Sequence, residues 1–444
     1  MTKAEKLKKE IFEKVKAYYQ EAHNQPKKFV EGVSTVRYAG RVFDEKEILN
    51  LIDSSLEFWL TYGRYSKLFE EKLAKFLGRK WTFLVNSGSS ANLLSLSALT
   101  SPLLRDRRLK KGDEVITLAA GFPTTVAPII QNGAIPVFVD IDLKTCNIDV
   151  NYLKQALSEK TKAIMIAHTL GNPFNLRAVK NFCEINKLWL IEDNCDALGS
   201  TYEGKLTGTW GDIGTSSFYP AHHITMGEGG AVYTDNVILK KVILSLRDWG
   251  RDCWCDSGKE NTCGARFSQQ HGTLPFGYDH KYVYSHFGYN LKVTDMQAAI
   301  GCAQIDKLPM IIQKRKDNFN KLFEGLKSLQ DYFYLPQATP NSDPSWFGFL
   351  LILKDKLLFT RKDLTTYLDE KHIQSRNLFA GNLVRQPLFQ NLIPDKDFRV
   401  IGNLKNTDKV MNDAFWLGVY PGRKIDEIEY MIKTLKNFVS IYAK

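Results

Sequence analysis

Three groups of residues in this sequence have the types and spacing to do chemistry. The first is the run Ser216-Ser217-Phe218-Tyr219-Pro220-Ala221-His222-His223-Ile224-Thr225-Met226-Gly227-Glu228-Gly229-Gly230, in which two adjacent histidines enter a glycine-rich turn. An imidazole titrates near neutral pH, so His222 is a candidate general base, with His223 as the alternative. The second group is Cys195, Cys253, Cys255 and Cys263, spaced C-x57-C-x-C-x7-C. Four thiolates suit a [2Fe–2S] cluster or a four-cysteine zinc site. The third is Asn86-Ser87-Gly88-Ser89-Ser90-Ala91-Asn92, a small-residue turn between an apolar run and a helical one. Amides and hydroxyls at such a helix start bind phosphate, although a serine there is also an ordinary cap.

These groups need elements to position them. Residues 81–85 read as a short strand, and residues 67–77 as an amphipathic helix closed by Gly78. Strands are then expected at 114–119, 136–140, 163–168 and 188–192, with a helix at 123–132. Buried strands alternating with helices indicate a mainly parallel α/β sheet covered on both faces. Ligands of such sheets bind beyond the carboxyl ends of the strands. The Ser87–Ser90 turn, Gly121-Phe122-Pro123 and Asp193-Asn194-Cys195-Asp196 all fall at those ends. Asp193 there is either a solvated strand end or a carboxylate that keeps a pyridine nitrogen protonated. Phe122 is either core or a wall against a ring face.

Residues 1–34 are expected to form a helical extension, with Leu7, Ile11, Val15, Tyr18 and Tyr19 on one stripe. Residues 35–305 form a large domain and residues 306–444 a smaller α+β one, with the site at their junction. Residues 251–284, polar and rich in glycine and cysteine, read as a long loop excursion. The 44% apolar and 25% charged composition is that of an ordinary globular protein. No apolar run is long enough to span a membrane, and no signal-peptide pattern is present, so the cytoplasm is the expected location. The net charge of +11 is spread along the chain without a nucleic-acid-binding motif, which reads as a solvated surface or, alternatively, as attraction of a polyanionic small substrate or an acidic partner.

Together these stretches resemble the DegT/StrS-like family of nucleotide-sugar aminotransferases. The match includes Trp59-Leu60-Thr61, Asn86-Ser87-Gly88, Glu192-Asp193, the Ser217–Gly230 loop and Gly288-Tyr289-Asn290-Leu291 with Thr294-Asp295, over roughly residues 35–300. The resemblance implies a fold-type-I, pyridoxal-phosphate-dependent transferase with a mainly parallel, seven-stranded sheet. It implies that Gly88, Ser89 and Ser217 bind the cofactor phosphate, that Asp193 pairs with the pyridine nitrogen and that Phe122 lies over the ring. Tyr219 is implied near the reacting atoms. Asn290 is implied to reach the cofactor of a neighbouring subunit in a homodimer with shared sites.

Two positions depart from the aminotransferase pattern: His222 replaces the Schiff-base lysine, and Asp196 stands where His or Gln is common. Imidazole forms no imine with an aldehyde, so the cofactor is expected noncovalently as pyridoxamine phosphate. His222 could then move a proton while the sugar loses a hydroxyl, which is dehydration rather than amination. The thiols, with Leu378-Phe379-Ala380-Gly381-Asn382 and Arg385-Gln386-Pro387, resemble the iron–sulfur 3-dehydrase branch of the family. That branch implies a CDP-linked 4-keto-6-deoxy sugar as substrate. It also implies a [2Fe–2S] cluster on Cys195, Cys253, Cys255 and Cys263, and an NAD(P)H-dependent flavin/iron–sulfur reductase as partner. Cys195 follows Asp193 by two residues, at most about 7 Å along the chain, so a cluster there would lie beside the cofactor. Arg64, Arg376 and Arg385 are candidate diphosphate ligands. A cluster-free dehydrase of a GDP-sugar, a plain aminotransferase and a catalytically inert cofactor-binding regulator are the alternatives.

Overall fold

The computed structural model describes residues 1–25, 28–255 and 257–442. Its centre is an eight-stranded sheet in the order β1-β9-β8-β5-β4-β2-β3-β14. The strands are β1 (Trp81–Val85), β2 (Glu114–Leu118), β3 (Ile135–Val139), β4 (Thr161–Ala167), β5 (Trp189–Asp193), β8 (Ile213–Ser217), β9 (Gly230–Thr234) and β14 (Arg399–Val400). β6 (Thr201–Tyr202) and β7 (Lys205–Leu206) form a small hairpin joined by β11 (Ser342–Asp343). All neighbours in the main sheet are parallel except β9, which runs antiparallel to β1 and β8. The expected α/β class and the fold-type-I architecture are therefore present. The eighth strand, β14, is a two-residue edge contributed from the C-terminal part of the chain.

The strands are apolar on both faces because helices cover both. Ile116, Ile164 and Leu190 enter one core, and their neighbours Val115, Ala163 and Ile191 enter the other. The C-terminal part carries a second, antiparallel sheet, β10 (Phe333–Tyr334), β12 (Gly348–Leu353), β15 (Ala414–Gly418) and β13 (Ser375–Arg376), in that order.

The helical stretch before β1 is two helices, α2 (Glu45–Glu57) and α3 (Arg64–Leu77), separated at Phe58, which takes φ 57°. Helix α1 (Lys3–Ala22) starts with a capping box from Thr2 and Glu5. Of its apolar stripe, Tyr19 is buried and donates to the Phe43 carbonyl (3.0 Å), while Leu7, Ile11 and Tyr18 stay exposed. Docking of α1 thus rests on one aromatic and the Lys8–Asp53 ion pair, not on the whole stripe.

The described part of residues 251–284 is almost entirely loop. Its base is closed by the Arg251–Tyr284 bridge and by Asp252 N–H donating to Val283 (2.9 Å). The only regular element assigned to its described residues is one 3-10 turn, His280–Tyr282.

Candidate functional site

A cavity of about 720 Å³ opens at the carboxyl ends of β2, β4, β5 and β8, bounded on the far side by Phe347, Arg376 and Trp416 of the C-terminal part. Asp193 ends β5 on its floor. Its carboxylate accepts from Asn92 Nδ2 (2.8 Å), from Thr125 Oγ1 (2.7 Å) and from the Cys195 amide (3.1 Å). Three donors fix the position of the carboxylate at the cavity, where a pyridine nitrogen could meet it. Neither Asn92 nor Thr125 is marked by the sequence, since each is an ordinary helix residue until the fold brings it to Asp193.

The phosphate-binding expectation falls on helix α4 (Gly88–Ala98), whose cap, Ser87, accepts from the Ser90 amide (3.0 Å). Ser87, Gly88, Ser89 and Ser217 line the same end of the cavity. A Cβ at Gly88 would lie 2.4 Å from the Ser217 Cβ, so only glycine lets the helix end and β8 approach this closely. Phe122, half-exposed, stands at the start of helix α5 (Pro123–Gln131) and packs edge-on against Phe379 (5.8 Å). Residues that fit a pyridoxal-type cofactor are thus assembled, with a carboxylate at one end and a helix N-terminus at the other.

His222 and Tyr219 line the cavity, and no lysine does so among the described residues. The His222 ring packs on Phe347 (5.2 Å), and its Nδ1 lies 3.5 Å from Asp196 Oδ1, too long for a hydrogen bond. Burial lowers the His222 imidazole to about 4, so it is neutral over the physiological range rather than titrating near 7 as the sequence suggested. Burial, then the neighbouring Asp193, raises Asp196 to about 8. The second histidine is turned away: His223 Nε2 meets the Ser345 carbonyl (2.9 Å) in the protein interior.

Arg315 is the site residue that sequence reading missed. It is fully buried on the helix Leu308–Leu326, and its guanidinium donates to the carbonyls of Ala221, His222, Trp346 and Phe347. Burial lowers it to about 10, still cationic at neutral pH. In the sequence it is one basic residue among several on an amphipathic helix.

Of the three candidate diphosphate arginines, Arg376 lines the cavity, stacked over Tyr38 at 4.0 Å. The other two are corrected by the structure. Arg64 is held by Asp53 and Glu57, and Arg385 by Asp408 (2.9 Å), as exposed ion pairs outside the cavity lining. Asn290 is exposed and also outside that lining.

The seven cysteines sort into buried Cys146, Cys183 and Cys302 and partly exposed Cys195, Cys253, Cys255 and Cys263, the second group being the expected ligand set. They do not converge. Cys195 lines the large cavity, whereas Cys253, Cys255 and Cys263 line a small recess on the loop with His280. Among the described residues no set of three or more ligating side chains is placed to hold a metal ion. Among the described residues the four thiols are therefore not brought together within one chain.

A relative from Salmonella typhimurium, lipopolysaccharide biosynthesis protein RfbH, is 55% identical over 438 residues, covering 99% of each chain. A dTDP-4-dehydro-2,6-dideoxy-D-glucose 3-dehydratase from Saccharopolyspora spinosa is 48% identical, covering 97% of this chain and 92% of its own. The structure of E. coli GDP-4-keto-6-deoxy-D-mannose-3-dehydratase with bound hydrated PLP superposes with a TM-score of 0.81 at 31% identity, covering 90% of this chain and all of that one. The DegT/DnrJ/EryC1/StrS aminotransferase family model matches residues 42–436, and the chain belongs to that family.

Proposed function

We propose that this protein removes the C3 hydroxyl of a nucleotide-linked 4-keto-6-deoxyhexose, using noncovalently held pyridoxamine phosphate. The observation that carries the reading is a cofactor cavity with His222 where the family's lysine belongs and no lysine in its described lining. The names of the relatives point the same way, since two of those compared are 3-dehydratases acting on dTDP- and GDP-linked keto sugars. Pyridoxamine phosphate, when bound, supplies the amine that reacts with the sugar ketone and a ring that takes up an electron pair.

The protein's own groups do the rest. Asp193 holds the ring nitrogen protonated, Gly88, Ser89 and Ser217 take the phosphate, and Phe122 walls the ring. His222, neutral through burial, is in the form that accepts a proton, on whichever ring nitrogen carries no hydrogen. Tyr219, two residues past Ser217 on the same loop, also lines the cavity. Arg376 is the cation in the described lining and the partner for the nucleotide diphosphate. The resemblance favours a CDP-sugar as substrate and an NAD(P)H-dependent flavin/iron–sulfur reductase as partner; Cys195, Cys253, Cys255 and Cys263 would hold the [2Fe–2S] cluster it implies, which would supply one-electron transfer.

Incubation with CDP-, GDP- and dTDP-4-keto-6-deoxy sugars tests this directly. Loss of the C3 oxygen by mass spectrometry is expected, most rapidly with the CDP-sugar. A 4-amino sugar as the sole product would overturn the reading. A second reading, a cluster-free dehydrase, is favoured by the separation of Cys195 from the other three thiols. It predicts full turnover in protein without iron.

A further inference from the structure

We propose that the iron–sulfur site is split between two copies of this chain: Cys253, Cys255 and Cys263 of one protomer close on the partner's Cys195. The inference rests on the iron–sulfur reading above and explains why one chain alone does not assemble the ligand set.

Four observations carry it. First, the four partly exposed cysteines divide three to one between the loop recess and the cavity. Second, they are far apart. Cys253 and Cys255 line a recess together with Trp81, Thr82 and Phe83 at the start of β1, whereas Cys195 follows the carboxyl end of β5. β9 and β8 intervene, so the lateral separation alone is about 14 Å at about 4.8 Å per strand. Third, the loop has no freedom to cover that distance. Its base is tied by the Asp252–Val283 and Trp249–Tyr289 backbone hydrogen bonds, and Cys253 is the next residue after Asp252, about 3.8 Å along the chain. Fourth, the loop and its base present Trp254, Phe267, Phe276, Tyr282, Tyr284 and Phe287 outward, all more than half exposed. An apolar cluster of that kind marks a surface that another chain covers.

The fourth ligand is not readily found in the recess itself. His280 is there, but its Nε2 faces Asp252 (3.2 Å) and its Nδ1 faces Cys263 Sγ (3.8 Å). Cys146, Cys183 and Cys302 are sealed in the core. Cys195 is the remaining thiol open to a cavity. A two-fold dimer makes the exchange reciprocal and gives two clusters per dimer.

Differently tagged Cys195→Ser and Cys253→Ser chains, co-expressed anaerobically and purified through both tags, decide the matter. The heterodimer has one site with both ligand sets intact and one with both broken. It is expected to carry half the wild-type iron, with the matching visible absorption, while each mutant homodimer carries none. An iron-free heterodimer beside iron-loaded wild type would overturn the inference alone. A Cys195→Ser homodimer with full iron would also overturn it and make His280 the fourth ligand. Iron-free wild type would remove the iron–sulfur reading and the inference with it. As an iron-independent check, a short bis-maleimide added to apoprotein should give a covalent dimer that Cys195→Ser abolishes; exclusively monomeric product on a denaturing gel would count against the split site.

Discussion

His222 and Asp196 are buried side by side, and burial drives both towards their uncharged forms. Replacing His222 with Asn keeps the ring's volume approximately but removes the proton acceptor. C3-hydroxyl loss is expected to fall about 100- to 10,000-fold, with cofactor binding retained; unchanged turnover would show that another group moves the proton. Asp196 has a stability signature. Between its ordinary value of 3.8 and about 8, the folded protein keeps a proton that the unfolded chain has released. Stability from this group therefore falls as pH rises through that window. His222 acts oppositely at lower pH, where the unfolded chain binds a proton between about 4 and 6.5 that the folded protein refuses. The melting temperature of Asp196→Asn should gain on wild type steadily from pH 5 to pH 8, and a constant difference would contradict the raised carboxyl. At this scale the sequence was informative where identity alone implies a role. His222, Asp193 and Gly88 stand in motifs with a mechanism. Asn92 and Thr125 have roles only through a partner 101 and 68 residues away, and Arg315 through carbonyls 31 to 94 residues away, which no local pattern encodes.

At the scale of elements, the strands with continuous apolar runs were legible to within a residue or two. β1 is found as expected, and β5 is shifted by one so that Asp193 closes the strand instead of following it. β8 was not legible. Its sequence, Ile213-Gly214-Thr215-Ser216-Ser217, lacks the branched apolar run of a buried strand. Small residues serve there because the Tyr233 ring and the backbone of Gly208 press on Gly214, and helix α4 presses on Ser217. The same crowding gives a prediction. Gly88→Ala puts a methyl group into Ser217, an overpacking cost of about 1–3 kcal/mol. Affinity for pyridoxamine phosphate should weaken about tenfold or more, measured by fluorescence titration. Unaltered affinity would show that the helix end does not carry the phosphate. The surface arginines show the converse limit: Arg64 and Arg385 have the right chemistry for a diphosphate, but acidic residues on neighbouring helices claim them first.

At the scale of the molecule, the class of fold was readable because alternating apolar strands and helices permit few other arrangements. The return of residues 399–400 to the main sheet was not, since two residues carry no periodicity. The junction between the two sheets is held by Arg315, and Arg315→Met should cost about 1.5–3 kcal/mol by leaving buried carbonyls without their charged donor. A urea titration measures it, and a loss below a few tenths of a kcal/mol would mean that the clamp is redundant. Arg315 has a kinetic corollary. Because one guanidinium bolts the His222 loop to the Trp346-Phe347 segment, the two parts of the protein cannot swing apart at the cavity without breaking several buried hydrogen bonds at once. Phe122 and Tyr219, half-exposed in the cavity lining, rotate in picoseconds to nanoseconds rather than the microseconds to milliseconds of a hinge. Stopped-flow traces for pyridoxamine phosphate should be single exponentials whose rate climbs linearly with concentration, and a plateau would reveal a slow opening step that this junction does not allow.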